Sequence, residues 1–235
     1  MRTIHPSGRP HTAFVLSGGA SLGAMQVGMA RALYERGIAP DLLVGTSAGA
    51  LNAAFLATRP PTSATTDELA SVWRDLRRDD VFPIGVRTLV GGLTNHLDHL
   101  VADRGVRRLA RQHLQIERLE DTRVPLHLVA FDVLSGEEVR LSEGPALDAL
   151  LAAAAIPGLL PPVEWGGRLL VDGGVVDNTP ISHAVALGAE RIYVLSTTDP
   201  IPPTDFDHAS RLIGEALADA RLALGAAQTV EAVAA

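Results

Sequence analysis

Asp41-Leu42-Leu43-Val44-Gly45-Thr46-Ser47-Ala48-Gly49-Ala50-Leu51-Asn52-Ala53-Ala54-Phe55-Leu56 is the stretch on which the fold turns. Asp41 to Val44 reads as a short buried strand. Ala48 to Thr58 follows as a helix of small residues, and Arg59-Pro60-Pro61 closes it. Between them lies a G-x-S-x-G pentapeptide, Gly45 to Gly49, so the serine sits on a strand-to-helix turn. Such a turn strains the backbone of Ser47 and exposes its hydroxyl. The residues two before and two after it crowd together, which is why both are glycine. The N–H groups opening the helix face the point where negative charge develops when the hydroxyl attacks a carbonyl. An ordinary βα turn with Ser47 as helix N-cap is the plain alternative.

Outward from this stretch the pattern repeats. Thr12 to Ser17 is an apolar run ending in Gly18-Gly19, and Met25 to Tyr34 has helical periodicity until Gly37 and Pro40 stop it. Two successive β-turn-α units imply an α/β protein: a three-layer α/β/α arrangement with a mainly parallel central sheet. The remaining expectations follow in order. Pro60 to Thr66 is a link, Asp67 to Arg78 an amphipathic helix anchored by Val72, Trp73 and Leu76, and Asp79 to Asp103 a loop or cap. Gly105 to His113 is a helix; Val124–Val133 and Glu137–Ser142 are strands around Ser135-Gly136. Ala146 to Ala155 is a helix, Val163–Trp165 with Arg168–Val171 a hairpin, Thr179–Leu187 a helix, Arg191–Ser196 the last strand and 207–235 a long Ala-rich helix. The expectation is one domain over 1–235, with 1–11 a loose leader and 60–120 a helical cap or lid region.

Composition narrows the function. The chain has 235 residues, 47% hydrophobic and only 4% aromatic, so its core must be built from Ala, Val, Leu and Ile. A net charge of −7 with no Lys/Arg block argues against nucleic acid as a partner. Arg107, Arg108 and Arg111 read as a solvated face. Without cysteine there is no disulfide, thiolate nucleophile or Cys-ligated zinc. No apolar run approaches the ~20 residues of a spanning helix, and the apolar core Ala13 to Leu16 is too short for a signal peptide. A cytoplasmic protein, with peripheral membrane contact left open, is expected. His96, Asp98 and His99 read as a solvated loop rather than a metal site; no metal and no cofactor are expected.

A serine nucleophile needs a proton acceptor and an anion cradle. Gly18 and Gly19, together with Ala48, are candidate N–H donors to an oxyanion. The phosphate-loop reading of this turn fails because Ala24-Met25 follows Gly23, and the dinucleotide fingerprint fails at Ala20. Asp172-Gly173-Gly174 follows the strand Arg168–Val171, at a strand end where a catalytic carboxylate belongs, and the two glycines leave room for substrate.

Jointly these residues resemble the patatin-like phospholipase family. Gly18-Gly19, Gly45 to Gly49 and Asp172-Gly173-Gly174 stand in the family's order. Ala154 to Gly158, Pro161-Pro162-Val163 and Asp177-Asn178-Thr179-Pro180 look like it too. The resemblance implies a Ser47–Asp172 dyad without histidine, an acyl-enzyme, and hydrolysis of acyl esters in lipids, with a lipid or ester as partner. Two positions depart from it: Ala20 replaces the family's third glycine, and Leu22 its usual Arg or Lys. Two other readings stay open: a Ser-His-Asp esterase using His183 or His208, and a non-catalytic lipid- or protein-binding module on a degenerate hydrolase scaffold.

Overall fold

The computed structural model describes residues 11–81 and 103–233. Residues 1–10 of the expected leader 1–11, most of the expected loop or cap 79–103, and the candidate His96, Asp98 and His99 within it lie outside these residues.

Seven strands form one sheet: β1 (Thr12–Leu16), β2 (Leu42–Thr46), β3 (Leu126–Asp132), β4 (Glu137–Leu141), β5 (Val163–Trp165), β6 (Arg168–Asp172) and β7 (Arg191–Leu195). The order along the sheet is β5-β6-β3-β2-β1-β7, with β4 also on β3. β3, β2, β1 and β7 run parallel, as the repeated βα units require. β4, β5 and β6 join antiparallel. Alternate residues of β1 and β2 serve two faces. Phe14, Leu16 and Leu43 enter a large core under the helices α1 (Ala24–Glu35), α2 (Ala48–Ala57), α3 (Ser63–Asp75), α6 (Ala146–Ala153) and α8 (Ala209–Val233). Ala13, Val15, Leu42 and Val44 enter a smaller core closed by Ala184 of α7 (Ile181–Ala186). Among the described residues, the helices α4 (Arg78–Val81) and α5 (Arg104–His113) also lie between α3 and β3 in sequence.

The stretch 60–66, expected as a link, is partly helix. Thr62 caps α3 by accepting from the N–H of Thr65, whose hydroxyl in turn bonds the Pro60 carbonyl at 2.6 Å, so the helix starts at Ser63. Arg107 and Arg108 are spent on Asp103 and Asp80, in keeping with a solvated face. No helix among the described residues is long and apolar enough to cross a membrane.

The edge of β3 decides where the functional residues go. β4 pairs with β3 over Leu128–Asp132. β2 pairs with Leu126–Val129 and β6 with Ala130–Asp132. β4 occupies one edge, so β2 and β6 share the other, running toward each other. β2 ends with Thr46 opposite Val129, and β6 ends with Asp172 opposite the next residue, Ala130. Two distant segments are thereby brought end to end.

The packing of α1 on α8 sets up a paired test. A Cβ on Gly28 of α1 would lie 2.2 Å from the Ile213 carbonyl oxygen of α8, whereas one on Gly214 meets nothing within 4 Å. Alanine is worth about 1 kcal/mol over glycine inside a helix, while overpacking against rigid backbone costs about 1–3 kcal/mol. Gly28→Ala should therefore lower Tm by several degrees, and Gly214→Ala should raise it by roughly 2–4 °C. Thermal melting followed by circular dichroism checks both signs.

Candidate active site

Ser47 joins β2 to α2 with φ 55° and ψ −125°, a left-handed conformation that costs of order 1–3 kcal/mol for a residue with a side chain. The glycines of the pentapeptide permit it. A Cβ on Gly45 would lie 2.6 Å from the Gly49 carbonyl oxygen, and one on Gly49 would lie 2.3 Å from that of Leu16. The Ser47 N–H is held by the Ala153 carbonyl at 2.9 Å.

Asp172 is the last residue of β6 and is 4% exposed. Its N–H donates to the Ala155 carbonyl at 2.9 Å, so carbonyls two residues apart at the end of α6 grip the backbones of both Ser47 and Asp172. Its carboxylate accepts the Gly174 N–H at 2.8 Å, and the nearby Ser47 side chain also favours its ionised form. Burial holds its pKa above that of an ordinary aspartate, and these two groups only partly offset the shift. Gly173 is required by close approach: a Cβ there would lie 2.6 Å from the Val129 carbonyl oxygen. One on Gly174 would crowd both the Asp172 carboxylate and Asn178 at 3.1 Å.

The loop after β1 lies against this pair, since a Cβ on Gly18 would come within 3.1 Å of the Ser47 Cβ. Gly18 is a correction to the expected set of donors. Its N–H is already given to the Asn178 carbonyl at 3.0 Å, so it cannot serve an oxyanion without breaking that bond. Among the described residues no acceptor faces the N–H groups of Gly19, Ala20 or Ala48. Ala20, which stands where a glycine was expected, has φ 48°. Leu22, in place of a basic residue, is 8% exposed and packs into the core.

An apolar pocket opens at Ser47. Ala48, Leu51 and Phe55 of α2, Val72 and Trp73 of α3 and Leu109 of α5 line it, with Leu160 on the far wall. Leu159 packs nearby but is not part of the lining. His113 also faces the pocket; burial and the Arg59 charge press its pKa below the ordinary histidine value, which keeps the lining uncharged at neutral pH. The two histidines considered as bases are engaged elsewhere, His183 with Glu138 and His208 with Asp205.

Residues the motifs did not flag complete the surroundings. Asn178 donates from its side chain to the Gly18 carbonyl at 3.4 Å, and the Thr197 hydroxyl bonds the same oxygen at 2.6 Å. Gln26 and Asn52, each 1% exposed, lie beneath the loop. A buried amide among alanines at helical spacing was the signal available in the sequence.

Several known proteins share this arrangement of sequence. The profile of the patatin-like phospholipase family matches residues 14–185. Lysophospholipase NTE1 of Mycosarcoma maydis is 31% identical over 219 residues, covering 83% of this chain and 11% of that protein. An uncharacterized NTE family protein of Mycobacterium bovis is 28% identical, covering 82% of this chain and 51% of its own length. Mouse patatin-like phospholipase domain-containing protein 6 is 28% identical, with 78% of this chain and 13% of the mouse protein aligned. This chain thus spans about half or less of these curated relatives. Among solved structures, VipD from Legionella pneumophila aligns with a TM-score of 0.52 at 18% identity, over 82% of this chain and 51% of VipD, a likeness of fold. On the match over 14–185, the chain belongs to the patatin-like phospholipase family.

Proposed function

We propose that this chain hydrolyses acyl esters of lipids, with Ser47 as nucleophile and Asp172 as its base. The observation that carries this is the Ser47 side chain set beside the buried Asp172 carboxylate, where it favours the ionised form, at the mouth of an apolar pocket and next to the N–H groups of Gly19, Ala20 and Ala48, which have no backbone acceptor among the described residues. Asp172 takes the hydroxyl proton as the Ser47 oxygen attacks the ester carbonyl. The N–H groups of Gly19, Ala20 and Ala48 receive the oxyanion, each donor being worth about 10²–10³ in rate. The alcohol leaves with the proton from Asp172. Water then gives a proton to Asp172 as it attacks the acyl-Ser47, and Asp172 returns that proton to the Ser47 oxygen as the fatty acid leaves. The apolar pocket takes the acyl chain, and the names of the lysophospholipase relatives favour glycerophospholipid esters, reached by peripheral contact with a lipid surface.

The test is turnover of a p-nitrophenyl ester series and of a phospholipid and lysophospholipid mixture read by mass spectrometry. Ser47→Ala and Asp172→Asn should each lose at least about 10³-fold in kcat/KM; undiminished hydrolysis by Ser47→Ala would end the assignment.

The base must be ionised, so kcat/KM should fall as pH drops through the raised pKa of Asp172, on an acid limb above the 3.8 of an ordinary aspartate. Stability should run the other way. Folded Asp172 binds its proton more tightly than the unfolded chain does, so it destabilises the fold progressively as pH rises from 3.8 through that raised value. Asp172→Asn removes this cost. At neutral pH its Tm should equal or exceed that of the wild type, and the difference should vanish in acid; a Tm well below wild type at neutral pH would contradict the assigned cost of the charge.

A further inference from the structure

The loop that carries the Gly19 and Ala20 N–H groups is cross-tied underneath by three buried side chains. Gln26 donates its amide hydrogens to the carbonyls of Ser17, at 2.7 Å, and Leu195, at 3.0 Å. Its own carbonyl accepts from the Asn52 amide at 2.8 Å, and that same amide donates to the Gly23 carbonyl at 2.9 Å. The Asn52 carbonyl accepts the indole N–H of Trp73 at 2.9 Å. All four amide hydrogens are used, so neither amide can flip without setting donor against donor or acceptor against acceptor. Ser17 and Gly23 are the two ends of the loop. Its outer side is held by the Ser21 N–H on the Pro203 carbonyl at 3.0 Å and by the Thr197 hydroxyl on Gly18.

A buried polar chain is a costly way to fill space between Ala-rich helices, because every unmade bond leaves a desolvated polar group without a partner. This one ends on carbonyls at both ends of a single loop, so it fixes how far apart those ends sit and which way the intervening N–H groups point. Asn52 lies on α2, five positions after Ser47, so the same chain also ties the loop to the helix that carries the nucleophile. We propose that Gln26, Asn52 and Trp73 are positioning residues for the oxyanion donors: they act through the backbone of Ser17–Gly23 and touch no reacting atom. The proposal rests on Ser47 being the nucleophile of an acyl-transfer reaction.

The test compares the wild type with Gln26→Met, which keeps volume and loses all three bonds, and with Trp73→Phe, which keeps the aromatic wall and loses one donor. Three quantities are measured: kcat and KM on a short p-nitrophenyl ester, affinity for an alkyl trifluoromethyl ketone that forms a tetrahedral adduct with the serine, and Tm. Misplacement of the donors should lower kcat by about 10–100-fold in Gln26→Met and about 10-fold in Trp73→Phe, with KM within about two-fold. Ketone affinity should fall in proportion to kcat/KM, because only tetrahedral species use the donors. Folded variants with wild-type kcat, or with a raised KM alone, would overturn the proposal. If Gln26→Met does not fold, Trp73→Phe decides on kcat alone, because its ring also lines the pocket and can move KM by itself. A wild type that neither turns over ester nor binds the ketone would overturn the hydrolase reading beneath it, an outcome distinct from an active wild type with indifferent variants.

Discussion

Everything at the site depends on two strands sharing one edge of a third. β3 offers its free edge first to β2, in parallel, and then to β6, from the opposite direction. Neither strand can extend without displacing the other, so each must leave the sheet where they meet. Ser47 is the residue with which β2 leaves, and Asp172 is the residue with which β6 ends. The Ala153 and Ala155 carbonyls hold both exits from the helical side. Proximity of hydroxyl and carboxylate is thus a property of sheet register, and the strain in the Ser47 backbone is borne by a surround too tightly packed to release it.

Small residues make that packing achievable. Ala149, Ala152 and Ala153 of α6 are fully buried, as are Ala50, Ala53 and Ala57 of α2, so these helices lie close on the sheet with few aromatic side chains to fill gaps. The amides of Gln26 and Asn52 inside this apolar mass are satisfied in a single chain. The replacement of a basic residue by Leu22 belongs to the same economy: the side chain turns into the core rather than toward the anion cradle. Ala20 keeps the positive φ of its loop despite its side chain, so the turn is dictated by its ties rather than by glycine freedom.

The sequence made the local features legible and left the distant ones hidden. Strand, turn and helix around Ser47 could be read because glycine, serine and a small-residue run act through neighbours only. β1, α1, the β5–β6 hairpin and the long last helix were visible for the same reason. The start of α3 at Ser63 was missed because a threonine cap looks like linker composition until its hydrogen bond is seen. The short turn at Ser135-Gly136 already required β4 to run antiparallel to β3, but the antiparallel attachment of β6 to β3 could not be read, since pairing partners leave no mark in either strand alone. Gly18 was assigned a donor role from its glycine neighbour, but the Asn178 carbonyl that consumes its N–H arrives from the far end of the chain. Gln26 and Asn52 were overlooked because one polar residue on a buried face looks like noise in a periodic pattern.

The β5–β6 hairpin holds to the rest of the sheet through only three register positions of β3, Ala130 to Asp132. The proposed nucleophile rides on the interior of the parallel sheet, while the proposed base rides on this outlying flap. Partial peeling of the flap would carry the carboxylate away and leave the elbow and its helix intact. Heat inactivation of such a protein would then set in below the temperature at which its fold is lost, and would reverse on cooling.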